Sequence, residues 1–441
     1  MVVLRNVVYL ALLVLALPLL LWRAARTGKY RETLWARFWG LAAPRDSQAR
    51  CVWLHGVSVG EINLIVPLVA AIECRWPDCE CVISATTATG LALARARFPH
   101  HRVIVCPLDF SWAVRRVVRA IRPDLLLLAE LEVWPNLIDS VRASGGRVGI
   151  VNGRLSEKSF RGYRRIRPLV ARSLRRIDVI AAQNEDYAER FRRLGARPAS
   201  VHVTGSIKFD GAVTDRDNPA TAALRSLLDL PADASVLLAG STQEPEEAIV
   251  LEAFTRLAES HPQLRLVIVP RHPERFAAVA ETIAHSGHRW YRRSALGDVT
   301  FDRTARVLLV DTVGELSAWW GVADVGYVGG SLGSRGGQNM IEPAGYGVPI
   351  CFGPNTRNFR DVVMLLTGAD AACVVHNVDE LAAFVEWTLS DATAAASMGR
   401  RAAELVRQQA GALGRTLDLL EPVVARLGTT DLGRPRDRQA A

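Results

Sequence analysis

The sequence predicts an α/β protein built from two doubly wound, Rossmann-like domains. Short apolar runs alternate with stretches of helical periodicity, which is typical of parallel sheets covered by helices on both faces. The alternation stops at a polar, proline-containing segment, residues 208–219, and then begins again. With 441 residues, the chain is also too long for one ordinary core. These observations predict a bilobed fold with a linker and a cleft between its halves.

The predicted strands are short runs of mainly apolar residues. In the first half they are Cys51–Leu54, Cys81–Ser84, Val103–Val105, Leu125–Leu128, Val148–Val151 and Val179–Ala182. In the second half they are Ser235–Ala239, Leu266–Val269, Val307–Val310, Val325–Val328 and Pro349–Phe352. Helical patterns lie between some of these strands and at the end of the chain, for example over Ser111–Ile121, Leu137–Ala143 and Ala395–Leu427.

An uncharged apolar segment, Val7–Trp22, precedes the first domain. It is slightly shorter than the ~20 residues that span a bilayer comfortably. Only Arg5 precedes it, whereas several basic residues follow it, so the positive-inside rule places the rest of the chain in the cytoplasm. We therefore expect a membrane anchor that either spans the bilayer or lies in its surface. An ordinary buried N-terminal helix and a cleaved secretory signal are the alternatives.

The chain is basic, with a net charge of +9. Nucleic acid is one class of partner for such a chain, but the sequence contains no stacking-aromatic or recognition-helix pattern. An anionic membrane surface or a phosphorylated lipid explains the basic excess more simply. The seven cysteines have no regular spacing, which argues against a disulfide framework and against a metal site.

Glu61 is the most informative single residue. It ends the segment His55-Gly56-Val57-Ser58-Val59-Gly60-Glu61, directly after the first predicted strand and at the start of a predicted helix. Open α/β sheets bind ligands at the carboxyl ends of their strands, so Glu61 is a candidate for chemistry. Ser58 and Glu61 also match the S-x-x-E capping box, in which both side chains only satisfy backbone donors. Both interpretations stay open from the local pattern.

A glycine-rich segment, residues 329–337, follows the predicted strand Val325–Val328. Its glycines allow a ligand to approach the backbone closely, and a helix is predicted to begin near Asn339. Free amides and the helix dipole would form an anion site there. Arg335 is suited to phosphate or carboxylate, and Glu342 to ribose hydroxyls. A flexible loop capped by Asn339 and Glu342 is the alternative.

Polar residues also follow other predicted strands. Thr312-Val313-Gly314-Glu315 forms either a capping box or a ligand-binding turn. Arg271 and His272 are placed for a nucleotide phosphate or for an exposed turn.

Two carboxylates, Glu130 and Glu132, follow Leu125–Leu128 and would face the same way on an extended segment. They are candidates for catalysis or for holding a cation, with solvated surface charge as the alternative. Lys208 lies at the start of the linker and is a candidate cation.

In this order, the motifs resemble those of the 3-deoxy-D-manno-octulosonic acid (Kdo) transferases, which add Kdo to the lipid A precursor of Gram-negative bacteria. The resemblance runs from about Arg23 to Leu420. The segments that carry it are residues 58–61, 86–90, 130–137, 152–156, 205–210, 239–242, 269–275 and the glycine-rich segment with its continuation to Glu342.

The resemblance implies a GT-B fold with a membrane anchor over residues 1–22, located at the inner membrane with the catalytic domains on the cytoplasmic face. It implies an acceptor-binding domain over residues 23–212 and a CMP-Kdo-binding domain over residues 213–427. The lipid A precursor would be the acceptor, and no cofactor is implied. The basic, polar tail, residues 428–441, is predicted to be disordered.

The resemblance also implies inverting transfer, with Glu61 as the general base and with Glu130 and Lys208 stabilising the transition state. The residues that match the CMP contacts of the family are Pro270, Arg271, Val313, Gly314, Glu315, Asn339, Met340, Ile341 and Glu342. Asp215-Arg216-Asp217 resembles a metal-binding D-x-D motif but follows no strand, so we predict a turn there and a mechanism without metal.

Two positions depart from the family pattern. Gln243 and Gln338 stand where the family commonly has histidine. Glutamine forms hydrogen bonds but takes up no proton, so donor affinity or the donor sugar itself is in question. The alternatives are therefore another GT-B enzyme of the cell envelope with a different nucleotide sugar, and a non-catalytic sugar or lipid binder.

Overall fold

The computed structural model describes residues 2–3, 5–11, 13–15, 31–228, 230–231, 233–296 and 304–426. These residues form two seven-stranded parallel sheets with helices between the strands. The chain divides into two compact units. Unit 1 contains the described residues up to Asp210 and those from Ala410 onward, and unit 2 is Gly211–Gln409. The prediction of two doubly wound parallel domains is confirmed.

The strands are numbered in chain order. Those of unit 1 are β1 Arg50–Gly56, β2 Cys79–Ala85, β3 Arg102–Val105, β4 Leu125–Ala129, β5 Arg147–Gly153, β6 Val179–Ala182 and β7 Val201–Val203. Those of unit 2 are β8 Ser235–Thr242, β9 Leu264–Pro270, β10 Trp290–Arg292, β11 Val307–Leu309, β12 Val325–Val328, β13 Ile350–Phe352 and β14 Cys373–Val374.

The helices of the described residues from position 31 onward are numbered in the same way. Those of unit 1 are α1 Arg31–Trp39, α2 Val59–Arg75, α3 Ala88–Arg97, α4 Ser111–Ile121, α5 Pro135–Ala143, α6 Glu157–Arg165, α7 Arg167–Leu174, α8 Glu185–Leu194 and α17 Ala412–Ala425. Those of unit 2 are α9 Pro219–Leu228, α10 Glu246–Leu257, α11 Phe276–His285, α12 Leu316–Val322, α13 Ile341–Gly345, α14 Arg360–Gly368, α15 Val378–Ser390 and α16 Ala392–Gln409.

The two sheets have the same connectivity around their central strands. The strand order is β3-β2-β1-β4-β5-β6-β7 in unit 1 and β10-β11-β9-β8-β12-β13-β14 in unit 2. In each sheet the chain runs outward from its first strand, β1 or β8, and later returns to the other side of that strand, at β4 or β12. Ligands of open α/β sheets bind outside the carboxyl ends of the strands at such a switch point. Each unit therefore has one candidate ligand-binding region, outside the carboxyl ends of the strands at its switch point.

Strand β1 illustrates how each sheet is buried on both faces. Trp53 packs into an apolar core with Val114 and Ile138, on the face covered by α4 and α5. Leu54 points to the opposite face and packs into a second core with residues of α2 and α17. Alternate residues of a strand face opposite sides of its sheet, so a continuous apolar run is what a doubly covered parallel strand requires.

Three strands have no counterpart in the sequence prediction, namely β7, β10 and β14. They are two or three residues long and lie at or next to the edges of their sheets. An edge strand is covered less completely, so exposed polar residues such as His202 in β7 are tolerated there. The continuous apolar run that reveals a central strand is therefore missing in β7 and β10, and β14 has only two residues.

The final helix belongs to unit 1, whereas the sequence prediction assigned residues 213–427 to the second domain. Leu417 and Leu420 of α17 pack into the same core as Leu54. Asp210 accepts hydrogen bonds from the backbone N–H groups at the start of α17, including that of Ala412 at 3.1 Å. The periodicity predicted a helix here, but periodicity does not say which sheet a helix covers.

The N-terminal segment is described only in part. Residues 5–11 and 13–15 are helical, and Arg5 and Asn6 contact unit 1 through Asp139 at 2.5 Å and Ser111 at 2.8 Å. No helix within the described ranges is both long and apolar enough to cross a membrane. Residues 16–22 of the predicted anchor and the predicted disordered tail, residues 428–441, lie outside the described residues, so both stay predictions.

Candidate active site

Glu61 lies at the carboxyl end of β1, in the first turn of α2. Its Oε2 accepts a hydrogen bond from the backbone N–H of Val57, and its Oε1 accepts one from the Ser58 hydroxyl at 3.3 Å. The Ser58 side chain makes no capping bond to the backbone of the helix. The predicted capping box is thus only half formed, because the carboxylate bonds to the turn while the serine bonds to the carboxylate.

The surroundings of Glu61 favour its protonated form relative to water. Burial raises the pKa of the Glu61 carboxyl above its usual value, and the charge of Glu130 raises it further. The hydrogen bonds from Val57 and Ser58 and the charge of Lys208 lower the same pKa and oppose the rise. A carboxylate with a raised pKa is a stronger base than one in water, which suits proton abstraction near neutral pH.

Glu130 and Lys208 form an ion pair beside Glu61. Lys208 Nζ lies 2.9 Å from Glu130 Oε1, and the two side chains are 31% and 20% exposed. Glu130 has a φ of 55°, so its backbone is left-handed. Such a conformation costs a non-glycine residue about 1 kcal/mol and is concentrated at functional sites. The expectation of an extended segment at Glu130 is therefore wrong, since the chain turns at this residue.

The backbone that carries Lys208 is fixed by Asn152 from the end of β5. The backbone N–H of Ile207 donates to Asn152 Oδ1 at 3.0 Å, and Asn152 is fully buried. Asn152 also has a left-handed backbone, with a φ of 53°. Lys208 itself lies in a short 3₁₀ turn, Ile207–Phe209, so the lysine is presented by a fixed turn rather than by a free linker.

Glu132 is a third carboxyl in the same cluster. The Trp134 indole N–H donates to Glu132 Oε2 at 2.7 Å. Burial, followed by the charge of Glu61, raises the pKa of Glu132 to about 7. The cluster thus combines two carboxyls with raised pKa values, Glu61 and Glu132, with the Glu130–Lys208 ion pair. Such a site is able to take up a proton and to stabilise developing positive or negative charge.

In unit 2, the predicted CMP-contacting residues follow β9, β11 and β12. Arg271 is exposed, and its backbone N–H donates to the Thr242 carbonyl at 3.0 Å, which joins the ends of β9 and β8. Asn339 Nδ2 donates to Glu342 Oε1 at 2.8 Å. Burial raises the pKa of Glu342, while the Asn339 bond and the charge of Arg271 lower it. Glu342 therefore interacts with Asn339 through a hydrogen bond and with Arg271 through charge.

The other predicted contacts differ in accessibility. Val313 is 77% exposed, and Gly314 has a φ of 94°, which is a left-handed conformation that glycine adopts without strain. The Glu315 carboxylate accepts from Arg293 Nη2 at 2.8 Å and from the Thr312 hydroxyl at 2.7 Å. The side chains of the remaining residues are buried in unit 2, namely Pro270, Met340 and Ile341.

The prediction of free amides in the glycine-rich segment is wrong at its start. The backbone N–H groups of Gly330, Ser331 and Leu332 donate to the carboxylate of Glu246, at 2.6, 2.8 and 2.9 Å. Glu246 lies in the first turn of α10 and is 1% exposed. An internal anion therefore takes the place that the sequence prediction gave to a ligand. The expected helix start near Asn339 is confirmed by α13.

The two glutamines that depart from the family pattern meet at Gly330. A Cβ atom built on Gly330 would lie 3.1 Å from Gln338 Nε2 and 3.2 Å from Gln243 Nε2. Gly330 has a φ of 67°. A side chain at position 330 would crowd both amides and would strain the left-handed backbone, so glycine is favoured there.

Sequence reasoning missed Glu246 and Arg293, and it assigned no role to Asn152. The signal for Glu246 was present, because Gln243-Glu244-Pro245-Glu246 follows a central strand just as the segment of Glu61 does. Asn152 lies in a segment that carries the family resemblance, but its left-handed backbone is not visible in a sequence.

Asp215 forms a turn, as predicted, with its Oδ1 accepting from the backbone N–H of Asp217 at 2.8 Å. Within the described part of the chain, no group of three or more His, Cys, Asp or Glu side chains is placed to hold a metal ion.

Comparison with known proteins identifies the family. A family model described as 3-deoxy-D-manno-octulosonic-acid transferase (kdotransferase) matches residues 32–211. A 3-deoxy-D-manno-octulosonic acid transferase of Haemophilus influenzae is 31% identical over 429 residues, which are 95% of this chain and 98% of the relative. The chain belongs to the Kdo transferase family. It is therefore a glycosyltransferase, and the family prediction from the motifs is confirmed.

Further comparisons agree with this assignment. The Kdo transferase of Bordetella pertussis is 34% identical over 432 residues, with coverage of 95% of this chain and 99% of the relative. A solved structure of a UDP-N-acetylglucosamine 2-epimerase from Listeria monocytogenes, itself described as putative, matches with a TM-score of 0.55 and 16% identity, over 89% of this chain and all of that one. The latter likeness supports the GT-B-like fold alone. The roles of individual site residues in this Kdo transferase stay predictions.

Proposed function

We propose that this enzyme transfers Kdo from CMP-Kdo to the lipid A precursor, with inversion and without a metal ion. The observation that carries the proposal is the cluster of Glu61, Glu130 and Lys208 at the carboxyl ends of β1 and β4. Unit 1 supplies this cluster and binds the acceptor, and unit 2 binds the donor nucleotide.

Glu61 acts as the general base in this proposal. A hydroxyl of the acceptor sugar donates its proton to the carboxylate, and its oxygen forms a bond to the anomeric carbon of Kdo. The bond between that carbon and the phosphate oxygen breaks, and CMP leaves with the bonding electrons. Attack from the opposite face inverts the anomeric centre. The pKa of Glu61 is raised by burial, which supports this role because the carboxyl then holds the proton more firmly than it would in water.

The ion pair of Glu130 and Lys208 suits the charges that develop during transfer. The transition state resembles an oxocarbenium ion, as at other glycosidic centres, and a carboxylate stabilises such a positive charge. The ammonium group of Lys208, 2.9 Å from Glu130, pairs with that carboxylate and offers a counter-charge to anionic groups of the sugar. Fixed charges that are already in place need no reorganisation during the reaction.

The donor is held by residues of unit 2. Arg271 is exposed at the end of β9, next to the carboxylate of Glu342, so it offers a guanidinium to the phosphate of CMP. Glu342 and Asn339 offer acceptors and donors to the ribose. The phosphodiester of the donor carries a single negative charge, which one guanidinium is able to balance in the bound donor. The departing CMP gains a second negative charge, which is still less than the charge of a departing nucleoside diphosphate, and this smaller charge supports transfer without a metal ion.

We also propose that the enzyme works at the cytoplasmic face of the inner membrane. Trp35 is 65% exposed and Leu41 is 53% exposed, and both belong to a group of aromatic and apolar side chains around α1. Trp35 packs edge-on against Trp39, and Phe110 stacks on Trp112 in the same region. Tryptophan is enriched where proteins meet the headgroup region of a bilayer, which supports a membrane contact at this surface.

The test is transfer by the detergent-purified protein with freshly generated CMP-Kdo and tetraacylated lipid A precursor, in the presence of a chelator. Mass spectrometry of the lipid should show addition of one or more Kdo units. Parallel reactions with UDP-sugars examine the other donor class. Turnover of a UDP-sugar alone would contradict the proposed donor, and loss of transfer in the chelator would contradict the metal-free mechanism.

A further inference from the structure

Glu246 is the most completely hydrogen-bonded carboxylate of the described residues in unit 2. Its Oε1 accepts from the Tyr327 hydroxyl at 2.9 Å, in addition to the amides of Ser331 and Leu332. Its Oε2 accepts from the amides of Gly330 and Gln243, at 2.6 and 2.9 Å. A carboxylate offers about four lone-pair sites, so these five donors leave no capacity for a ligand.

We propose that Glu246 is a positioning residue of the donor site: its carboxylate is an internal anion that shapes the start of the glycine-rich segment and thereby places the residues that contact the nucleotide. This inference rests on the proposed function, because it concerns the site that binds CMP. Glu246 touches neither substrate in this account, and it acts only through the backbone that it holds.

The fixed start of the segment is linked to the donor residues by a short path. The carbonyl of Gly330, whose amide bonds to Glu246, accepts from the backbone N–H of Gly337 at 2.7 Å, which closes the loop. Gln338 and Asn339 follow directly in the chain. The position of Gly330 therefore sets both the exit of the loop and the gap in which the amides of Gln338 and Gln243 meet.

A second anchor holds the same end of the loop. The Ser331 hydroxyl donates to the Val328 carbonyl at 2.7 Å and accepts from the backbone N–H of Gly353 at 2.8 Å. Ser331 is fully buried. In contrast, Ser334 and Arg335 at the tip of the loop are exposed. The loop is thus fixed where it meets Glu246 and accessible where it faces solvent.

The internal anion also determines how the donor is recognised. Three consecutive amides would otherwise form a cradle for a phosphate or carboxylate. Because Glu246 occupies that cradle, recognition of the donor's anionic groups falls to side chains, among them Arg271 and the two glutamines. Removing the carboxylate leaves buried donors without partners, and the loop must then rearrange or bind another anion.

The experiment measures CMP binding to the full-length protein by isothermal titration calorimetry, with the Glu246→Ala and Glu246→Gln variants. We expect the dissociation constant for CMP to rise about tenfold or more in both variants. Sodium formate should restore affinity in Glu246→Ala, because a small carboxylate is able to enter the vacated space. It should leave wild type unchanged and should not restore Glu246→Gln, whose side chain still fills the space.

Asp324→Asn is the matched control. Asp324 lies at the amino end of β12, and its Oδ2 accepts the backbone N–H of Val236 at 2.9 Å, so it also bonds to backbone in unit 2 but at the opposite end of the strand from the glycine-rich segment. The Asp324→Asn variant should bind CMP with the affinity of the wild-type protein, with or without formate.

The outcomes separate this inference from the proposed function. Wild-type affinity in both folded Glu246 variants would overturn the positioning role while leaving the proposed donor intact. Weak binding in Glu246→Ala that formate does not improve would overturn the role of an internal anion. Absence of CMP binding in the wild-type protein would overturn the proposed donor, and this inference with it.

Discussion

Glu61 in unit 1 and Glu246 in unit 2 occupy equivalent places in the two sheets. Each follows the first strand of its unit, β1 or β8, and each lies in the first turn of the next helix. Both accept a hydrogen bond from the backbone of the turn before that helix. They differ in what else surrounds them. Glu246 is 1% exposed and holds five donors, whereas Glu61 bonds to one amide and one hydroxyl.

The comparison shows that position in the fold does not decide the role of a carboxylate. The second half of the chain supplies three loop amides to Glu246, so the lone pairs of this carboxylate accept hydrogen bonds from the protein itself. The described residues of the first half supply no such loop to Glu61 and place Glu130 and Lys208 near it instead. A carboxylate with free lone pairs beside other charges is suited to chemistry, and one that is saturated by amides is suited to holding a backbone.

The largest expected effect is that of Glu61→Gln on transfer. Removing a general base should lower kcat about 10²- to 10⁴-fold, because the acceptor hydroxyl then loses its proton acceptor. The CMP affinity should not change, since Glu61 lies outside unit 2. Steady-state kinetics with CMP-Kdo, combined with CMP titration, checks both parts. Transfer within threefold of wild type would shift the role of base to another carboxyl, with Glu130 as the first candidate.

Breaking the ion pair should have the next largest effect. We expect Lys208→Met and Glu130→Gln each to lower kcat by about two orders of magnitude, which is typical for removal of one stabilising group from a preorganised site. The double variant should be little worse than either single variant, because the two side chains act as a pair. A double-mutant cycle on kcat measures this coupling. Fully additive losses would contradict a joint role.

The free energy of unfolding should depend more on Glu246 than on Glu61, whereas kcat should depend more on Glu61. Glu246→Gln should lower the free energy of unfolding by about 2 to 3 kcal/mol, because an amide NH₂ would face buried N–H donors. Glu61→Gln should change it by less than about 1 kcal/mol, because only one amide and one hydroxyl are affected. Urea unfolding of the full-length variants compares the two. Equal losses would remove the proposed distinction.

The pH dependence should shift in opposite directions in the two ion-pair variants. Glu130 raises the pKa of Glu61 and Lys208 lowers it, so losing Glu130 lowers this pKa and losing Lys208 raises it. The base must be ionised, so activity increases as pH rises through the pKa. We expect the acidic limb of kcat/KM to move to lower pH in Glu130→Gln and to higher pH in Lys208→Met. Shifts in the same direction would contradict this arrangement.

The smallest effect concerns Ser58. Its hydroxyl donates to Glu61 Oε1 at 3.3 Å, a long hydrogen bond that orients the carboxylate weakly. Ser58→Ala should therefore lower kcat only about threefold, in line with a weak orienting bond of roughly 0.5 to 1 kcal/mol. Parallel measurements of kcat for Ser58→Ala and Glu61→Gln compare the two losses directly. A loss as large as that of Glu61→Gln would give the serine a direct role.

The sequence predicted the central strands well and indicated candidate residues directly after them, because both follow from local patterns. The apolar run of β4 and the carboxylates after it are visible in the residues themselves. The sequence did not predict that α17 returns to unit 1, because its periodicity is satisfied by either sheet. It also did not show that Glu246 fills the loop, because residues 246 and 330 meet only through the fold. The turn at Glu130 was missed for a similar reason, since its left-handed backbone leaves no compositional mark.

The most direct test measures transfer and CMP binding side by side in wild type, Glu61→Gln and Glu246→Gln. We expect Glu61→Gln to bind CMP as wild type does but to transfer little Kdo. We expect Glu246→Gln to bind CMP at least about tenfold more weakly, yet to approach the wild-type kcat at saturating CMP-Kdo. Loss of CMP binding in Glu61→Gln, or loss of kcat with normal CMP binding in Glu246→Gln, would contradict the division of roles between the two glutamates.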